Sequence, residues 1–165
     1  MPSWCNNTIT VSGQTEIIKN LWEKANREGG GFLSALVPPP ELQREEWYEW
    51  NVANWGTKWD VSTEGLEFVD NGDGTAVIEG GFDSAWSPPT KAYQTFCYGL
   101  DSVYLDAWYE EGGYDFAGRW NSEGVDVCLD DVSVYARRVI ENGESGCELY
   151  DELDEHFDLT ERHRD

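Results

Sequence analysis

Carboxylates are the most abundant ionisable groups in this chain. Asp and Glu together number 33 against 11 Lys and Arg, for a formal charge of −22 over 165 residues. A pair of carboxylates at the right separation can cleave a glycosidic bond. With so many acids, such a pair arises by chance, and no spacing singles one out. Only two histidines are present, His156 and His163, and neither has a serine or cysteine nucleophile motif beside it. There is no GxSxG, HExxH or P-loop pattern. Imidazole is the usual acid–base group near neutral pH, so no catalytic residue is nominated and the chain reads as non-enzymatic.

Metal chemistry is equally thin. Cys5, Cys97, Cys128 and Cys147 are scattered and include no CxxC, which argues against a zinc site. In a reducing compartment they are expected as packed or free thiols. Asp70-Asn71-Gly72-Asp73-Gly74 resembles the start of a calcium loop. Its third and fifth positions are glycine, however, and the sixth, which requires glycine, is Thr75. It reads as a turn. Asp126, Asp130 and Asp131 offer a weak seat for a divalent cation, although a solvated acidic loop is the commoner outcome. No metal or cofactor is expected.

The position of the acids is more informative than their number. Residues 1–100 carry 14 acids and 6 bases; residues 101–165 carry 19 and 5. Between Glu141 and Glu161 there are nine acids and no Lys or Arg. On a helix, Glu148, Asp151, Glu152 and Glu155 fall at i, i+3, i+4 and i+7. They would form a stripe with neighbours about 5–6 Å apart. Asp154 and Asp158 widen it, and Leu149, Leu153 and Phe157 would hold the helix to the domain. Ordered carboxylates at that spacing can enter a basic groove without a further ordering cost. The expected partner is therefore a basic protein, with Asp126, Asp130 and Asp131 as further contacts. Direct binding to nucleic acid is not expected, because a surface this negative repels it. A solvated face or adaptation to salt would also account for the acidity.

Aromatic residues offer a second surface. The chain has nine Trp, eight Tyr and six Phe, enough for one core. Trp47, Tyr48 and Trp50 lie close together in a short segment and are candidates for contact with a partner or a second copy. Trp55, Trp59 and Trp86 either line a ligand site or fill the gap between helices and sheet.

Elements must hold these groups in place. Cys5–Val11 alternates as a strand. Ile17, Leu21 and Ala25, with Ile18 and Trp22, give a helical stripe ending near Arg27. Residues 28–40 read as a loop, followed by a short helix from Glu41 towards Trp50 or Val52. Strand signals recur at Trp59–Val61, Leu66–Val69 and Thr75–Phe82, the last two forming a hairpin. Ser87-Pro88 reads as a helix start, with Ser87 as cap, and Gly99 as its stop. Val103–Glu110 alternates again, and two more strands fit Tyr114–Trp120 and Val125–Leu129. Val132–Ile140 fits strand or helix, and a C-terminal amphipathic helix follows Cys147. The predicted class is α+β. It is a ferredoxin-like βαββαβ antiparallel sheet with helices on one face, extended by C-terminal strands and an acidic helix. Residues 1–120 form the core, and 121–165 an acidic extension packed on the same domain. No apolar run approaches the ~20 residues of a membrane span, and nothing resembles a signal peptide. A cytoplasmic setting is expected.

Four segments, in order along the chain, carry a family resemblance. They are Met1-Pro2-Ser3-Trp4-Cys5-Asn6, Trp55-Gly56-Thr57-Lys58-Trp59-Asp60, Phe82-Asp83-Ser84-Ala85-Trp86-Ser87-Pro88-Pro89 and Phe116-Ala117-Gly118. Over roughly residues 1–120 the chain resembles the Api92-like ferredoxin-like domain family of phages, plasmids and other mobile elements, with Ser3 where Asn is expected. The resemblance implies the same βαββαβ fold and a mobile-element origin, but no activity. Mobile elements use acidic DNA-mimicking proteins against host defences. Taken with the acidity, a mobile-element origin makes a host nucleic-acid-binding defence complex, such as a CRISPR or restriction complex, the expected basic partner.

Overall fold

Strict alternation of buried and exposed residues builds the sheet. Cys5, Asn7, Ile9 and Val11 are buried, whereas Trp4, Asn6 and Thr8 between them are exposed. This is the period of a strand covered on one face. The computed structural model describes residues 3–143 and 147–164, with Leu149 described by its backbone alone. Among these are six strands: β1 (Trp4–Gln14), β2 (Leu66–Asp70), β3 (Thr75–Ala85), β4 (Tyr104–Glu111), β5 (Phe116–Asn121) and β6 (Asp126–Asp130). The helices are α1 (Thr15–Asn26), α2 (Phe32–Leu36), α3 (Trp47–Asn54), α4 (Thr90–Cys97), α5 (Val132–Asn142), α6 (Glu148–Phe157) and α7 (Leu159–Arg162). The fold is α+β, with one antiparallel sheet in the order β2-β3-β1-β4-β5-β6.

Register places two cores on opposite faces. Ile9 pairs with Ala107 and Val11 with Leu105 and Ile78. These side chains pack with Ile18, Leu21, Phe32, Leu33 and Tyr93 from α1, α2 and α4. The other face of β4–β6 carries Trp108, Ala117, Val127 and Leu129, which pack with Val132, Tyr135, Leu153 and Leu159 from α5, α6 and α7. The expected single helical face therefore describes α1 and α4, and the C-terminal helices cover the reverse side. Both cores draw on β4 and β5. Gly118 leaves room for the buried Tyr109 across the ladder, whose ring would lie 2.2 Å from a Cβ at that position.

Several local expectations change. Residues 28–40 contain the buried helix α2, and Trp59–Val61 is not a strand. One side chain accounts for both. The Asp60 carboxylate accepts the N–H of Leu33 at 2.7 Å and of Ser34 at 3.2 Å, and also takes the Ser34 hydroxyl proton. It thereby caps a helix that glycine precedes. The short helix begins at Trp47 rather than Glu41. Ser87 caps nothing: Thr90 opens α4, and the Ser87 hydroxyl donates to the Gly56 carbonyl. Val132–Ile140 is helical.

Candidate functional site

Two surfaces qualify, one acidic and one aromatic. The acidic one is α6, held against the reverse face of the sheet by a compact network. Arg119 donates through Nε to Asp106 at 2.9 Å and through a terminal nitrogen to Glu152 at 3.2 Å. Its guanidinium carbon lies 4.3 Å from the Trp108 ring centroid. His156 stacks on the same indole. Burial there pushes the His156 pKa below its usual value, helped by Arg119 and opposed by Asp106 and Glu110. The Trp108 indole N–H reaches Asp106 at 3.2 Å. The Arg119 pKa is raised, chiefly by its hydrogen bond to Asp106.

This network sorts the predicted acids. Glu148, Glu155 and Asp158 are exposed. Glu152 is exposed but paired with Arg119. Asp151 is exposed, with a carboxylate oxygen 3.4 Å from the Tyr135 hydroxyl. Asp154 faces inward. It accepts the Thr160 N–H at 2.9 Å, the Thr160 hydroxyl and the Tyr135 hydroxyl, so it seats α7 rather than offering charge to a partner. Leu153 is fully buried and Phe157 partly so, as the helical stripe requires; the Leu149 side chain lies outside the described residues. Asp130 and Asp131 flank a cleft with Tyr150 of α6 and with Arg138. Asp126 stands at the other end of β6, about 13 Å away at strand rise, and does not join them.

The aromatic surface lies where β1 begins and β3 ends. Trp4 and Trp59 have ring centroids 6.1 Å apart, Trp86 and Tyr114 6.3 Å, and Trp47 and Tyr48 5.8 Å. All six are exposed, from 38% for Trp59 to 60% for Tyr114. Lys58 joins the groups: its Nζ lies 4.5 Å from the Trp59 centroid and 5.5 Å from that of Tyr48. Tyr48, Lys58 and Trp86 line one cleft of about 260 Å³. Trp50 does not belong here. It packs edge-on against Trp55, itself buried with its indole N–H on the Val37 carbonyl, so both serve the core.

Trp86 is held by an unusual turn. Its φ is 74°, a left-handed conformation rare for a bulky residue. The Ser87 N–H bonds to the Ala85 carbonyl across it at 2.9 Å. Polar side chains clamp both flanks. Thr57 Oγ1 donates to the Ala85 carbonyl at 2.7 Å, Ser84 Oγ to the Ser87 carbonyl at 2.6 Å, and Ser87 Oγ to the Gly56 carbonyl at 2.5 Å. Asn7 Nδ2 donates to Ser84 Oγ at 2.8 Å. Tyr114 is fixed differently. The buried Glu111 carboxylate accepts the N–H groups of Gly113 at 2.8 Å and Tyr114 at 2.5 Å, and the Ser3 hydroxyl. Burial alone would raise the Glu111 pKa, but these three bonds hold it below its ordinary value.

A third feature escaped the sequence because its residues are 30 positions apart. Ser133 Oγ lies 3.4 Å from His163 Nε2, and His163 Nδ1 lies 2.8 Å from the Leu159 carbonyl. They border a cleft of about 500 Å³ that also holds Trp4, Glu110, Asp115 and Arg162. Asp115 accepts the Ser133 N–H at 2.9 Å rather than orienting the imidazole, and Arg162 is held by Glu110 at 2.8 Å. The pair ties α5 to α7. Among the described residues no three His, Cys, Asp or Glu side chains come together as a metal-ligand set, and no helix is long and apolar enough to cross a membrane.

Comparison with protein-family models, with curated proteins and with solved structures found no match.

Proposed function

We propose that this chain is a non-enzymatic acidic inhibitor that occupies the basic nucleic-acid-binding surface of a host defence protein, such as a CRISPR or restriction complex. One observation carries the reading. The acidic segment folds as α6, and Arg119, Trp108 and His156 fix that helix to the sheet. Glu148 and Glu155 are thus displayed from a preorganised helix, two turns and about 10.5 Å apart, with Asp151 and Glu152 between them. A loose acidic tail would lose entropy on binding; this helix has already been ordered by folding. The proposed stripe is narrower than the sequence implies, because the Asp154 carboxylate is engaged by Thr160 and Tyr135.

We read β1–β4 as ferredoxin-like. Supporting this are their order, β2-β3-β1-β4, and the placement of α1 after β1 and α4 after β3. The resemblance to a mobile-element family and the −22 charge point to the same class of role. The test is double reversal, Glu148→Lys with Glu155→Lys, measured on a captured partner. Affinity should fall about tenfold and its salt dependence should flatten. Unchanged affinity and salt slope would remove α6 from the interface.

A further inference from the structure

We propose that the aromatic surface around Lys58, through the rings of Trp4, Trp47, Trp86 and Tyr114, seats the arginine and lysine side chains of an extended basic segment in a partner protein. This site is separate from α6 and does not depend on the reading given to that helix.

The surface is built rather than left over. Trp86 is 43% exposed, so a large part of its side chain is left outside the core. Yet its backbone is held at a positive φ by hydrogen bonds from Thr57, Ser84 and Ser87. The buried carboxylate of Glu111 likewise fixes the turn that presents Tyr114, 60% exposed. Rigid aromatic side chains that need no ordering on contact are what interface anchors are made of.

Charge selects the occupant. A chain of net charge −22 repels nucleic acid, and it repels a second copy of itself. Ring faces attract cations, and this chain already shows both cationic side chains in such seats. Lys58 sits over Trp59 and Tyr48, and Arg119 over Trp108. Among the described residues, the rings of Trp4, Trp47, Trp86 and Tyr114 hold no such cation. Carboxylates lie beside Trp4: Glu110 lines the same cleft, and the exposed Asp83 is bonded to Asn6, which shares the Trp4 face of β1. Aromatic seats bordered by carboxylates complement an Arg- and Lys-rich strand.

The test uses a hexa-arginine peptide, titrated into the whole chain and followed by tryptophan fluorescence at 0.15 M and 0.5 M NaCl. A Gly-Ser hexapeptide and a neutral chito-oligosaccharide serve as comparison probes. Trp86→Gly and Tyr114→Ala leave net charge untouched, and glycine suits the positive φ, so that variant should fold. Each is expected to weaken hexa-arginine binding about fivefold or more, with part of the wild-type affinity surviving at high salt. Glu148→Lys with Glu155→Lys should change it less than twofold at 0.5 M NaCl. Hexa-arginine binding unaltered in both aromatic variants would mean diffuse attraction to an acidic surface and would overturn the proposal. So would tighter binding of the oligosaccharide than of the peptide, or dimerisation that Trp86→Gly abolishes.

Discussion

The indole of Trp108 and the imidazole of His156 lie nearly parallel, with ring centroids 4.0 Å apart and planes inclined by 4°. One residue comes from β4 and the other from α6, so this stack joins the acidic helix to the sheet. Burial against the indole holds the His156 pKa below the 6.5 of a free imidazole. The unfolded chain therefore takes up the proton more readily. The contribution to stability is complete above about pH 6.5 and declines as pH falls below it towards the folded value. Hydrogen exchange of α6 amides should accelerate between pH 7.5 and 5, after correction for intrinsic rates. The change should be smaller in His156→Gln. Equal pH dependence in the two proteins would contradict this.

Arg119 bridges Asp106 and Glu152 and lies over Trp108. Arg119→Met keeps most of the aliphatic cover but leaves the half-buried Asp106 without its cation. The expected loss is about 1–2 kcal/mol, visible as a fall in Tm of several degrees. A variant as stable as the parent would show that α6 docks through apolar contacts alone.

Asp154 and Glu155 are adjacent in sequence and opposite in role. Asp154→Ala strands the Thr160 N–H and hydroxyl and removes one acceptor of the Tyr135 hydroxyl, and should cost about 1–3 kcal/mol. Glu155→Ala removes an exposed charge and should alter stability by less than about 0.5 kcal/mol. Chemical denaturation of both variants checks the contrast; equal costs would mean that Asp154 does not seat α7.

At Trp86 the usual ranking of small residues should invert. Ala retains the left-handed strain and Gly relieves it, so Trp86→Gly should be more stable than Trp86→Ala by about 1 kcal/mol. Denaturant midpoints decide this directly.

Cys5 is buried, and its thiol is pushed up to about 12, chiefly by burial. Alkylation of Cys5 in the native protein at pH 8 should proceed only as fast as the sheet opens. Rapid labelling under native conditions would show that the start of β1 frays.

Much of this architecture can be read from local pattern. The period-two runs of β1, β3 and β4 and the helical stripe of α6 follow from side-chain alternation, which needs no knowledge of distant contacts. What pattern misses depends on groups remote in sequence. The helix α2 is capped by Asp60, 27 residues from Leu33, and no local signal announces that. Asp154 looks like one more acid in a stripe until Thr160 and Tyr135 claim it. Trp50 and Trp47 share a short helix, yet one faces Trp55 and the other solvent. The segments carrying Thr57, Ser84 and Ser87 stand out as motifs, but only the folded chain shows them closing around Trp86. Arg119 gave no signal at all, because its partners come from β4 and α6.

We propose that an ordered acidic face on α6 takes the place of nucleic acid on a basic protein. The most direct measurement immobilises the chain, captures its partner from host lysate and challenges the complex with increasing duplex DNA at fixed salt. The expected result is complete displacement by DNA, with the chain displacing DNA in the reverse experiment. A stable complex in which the partner holds this chain and DNA together would contradict it.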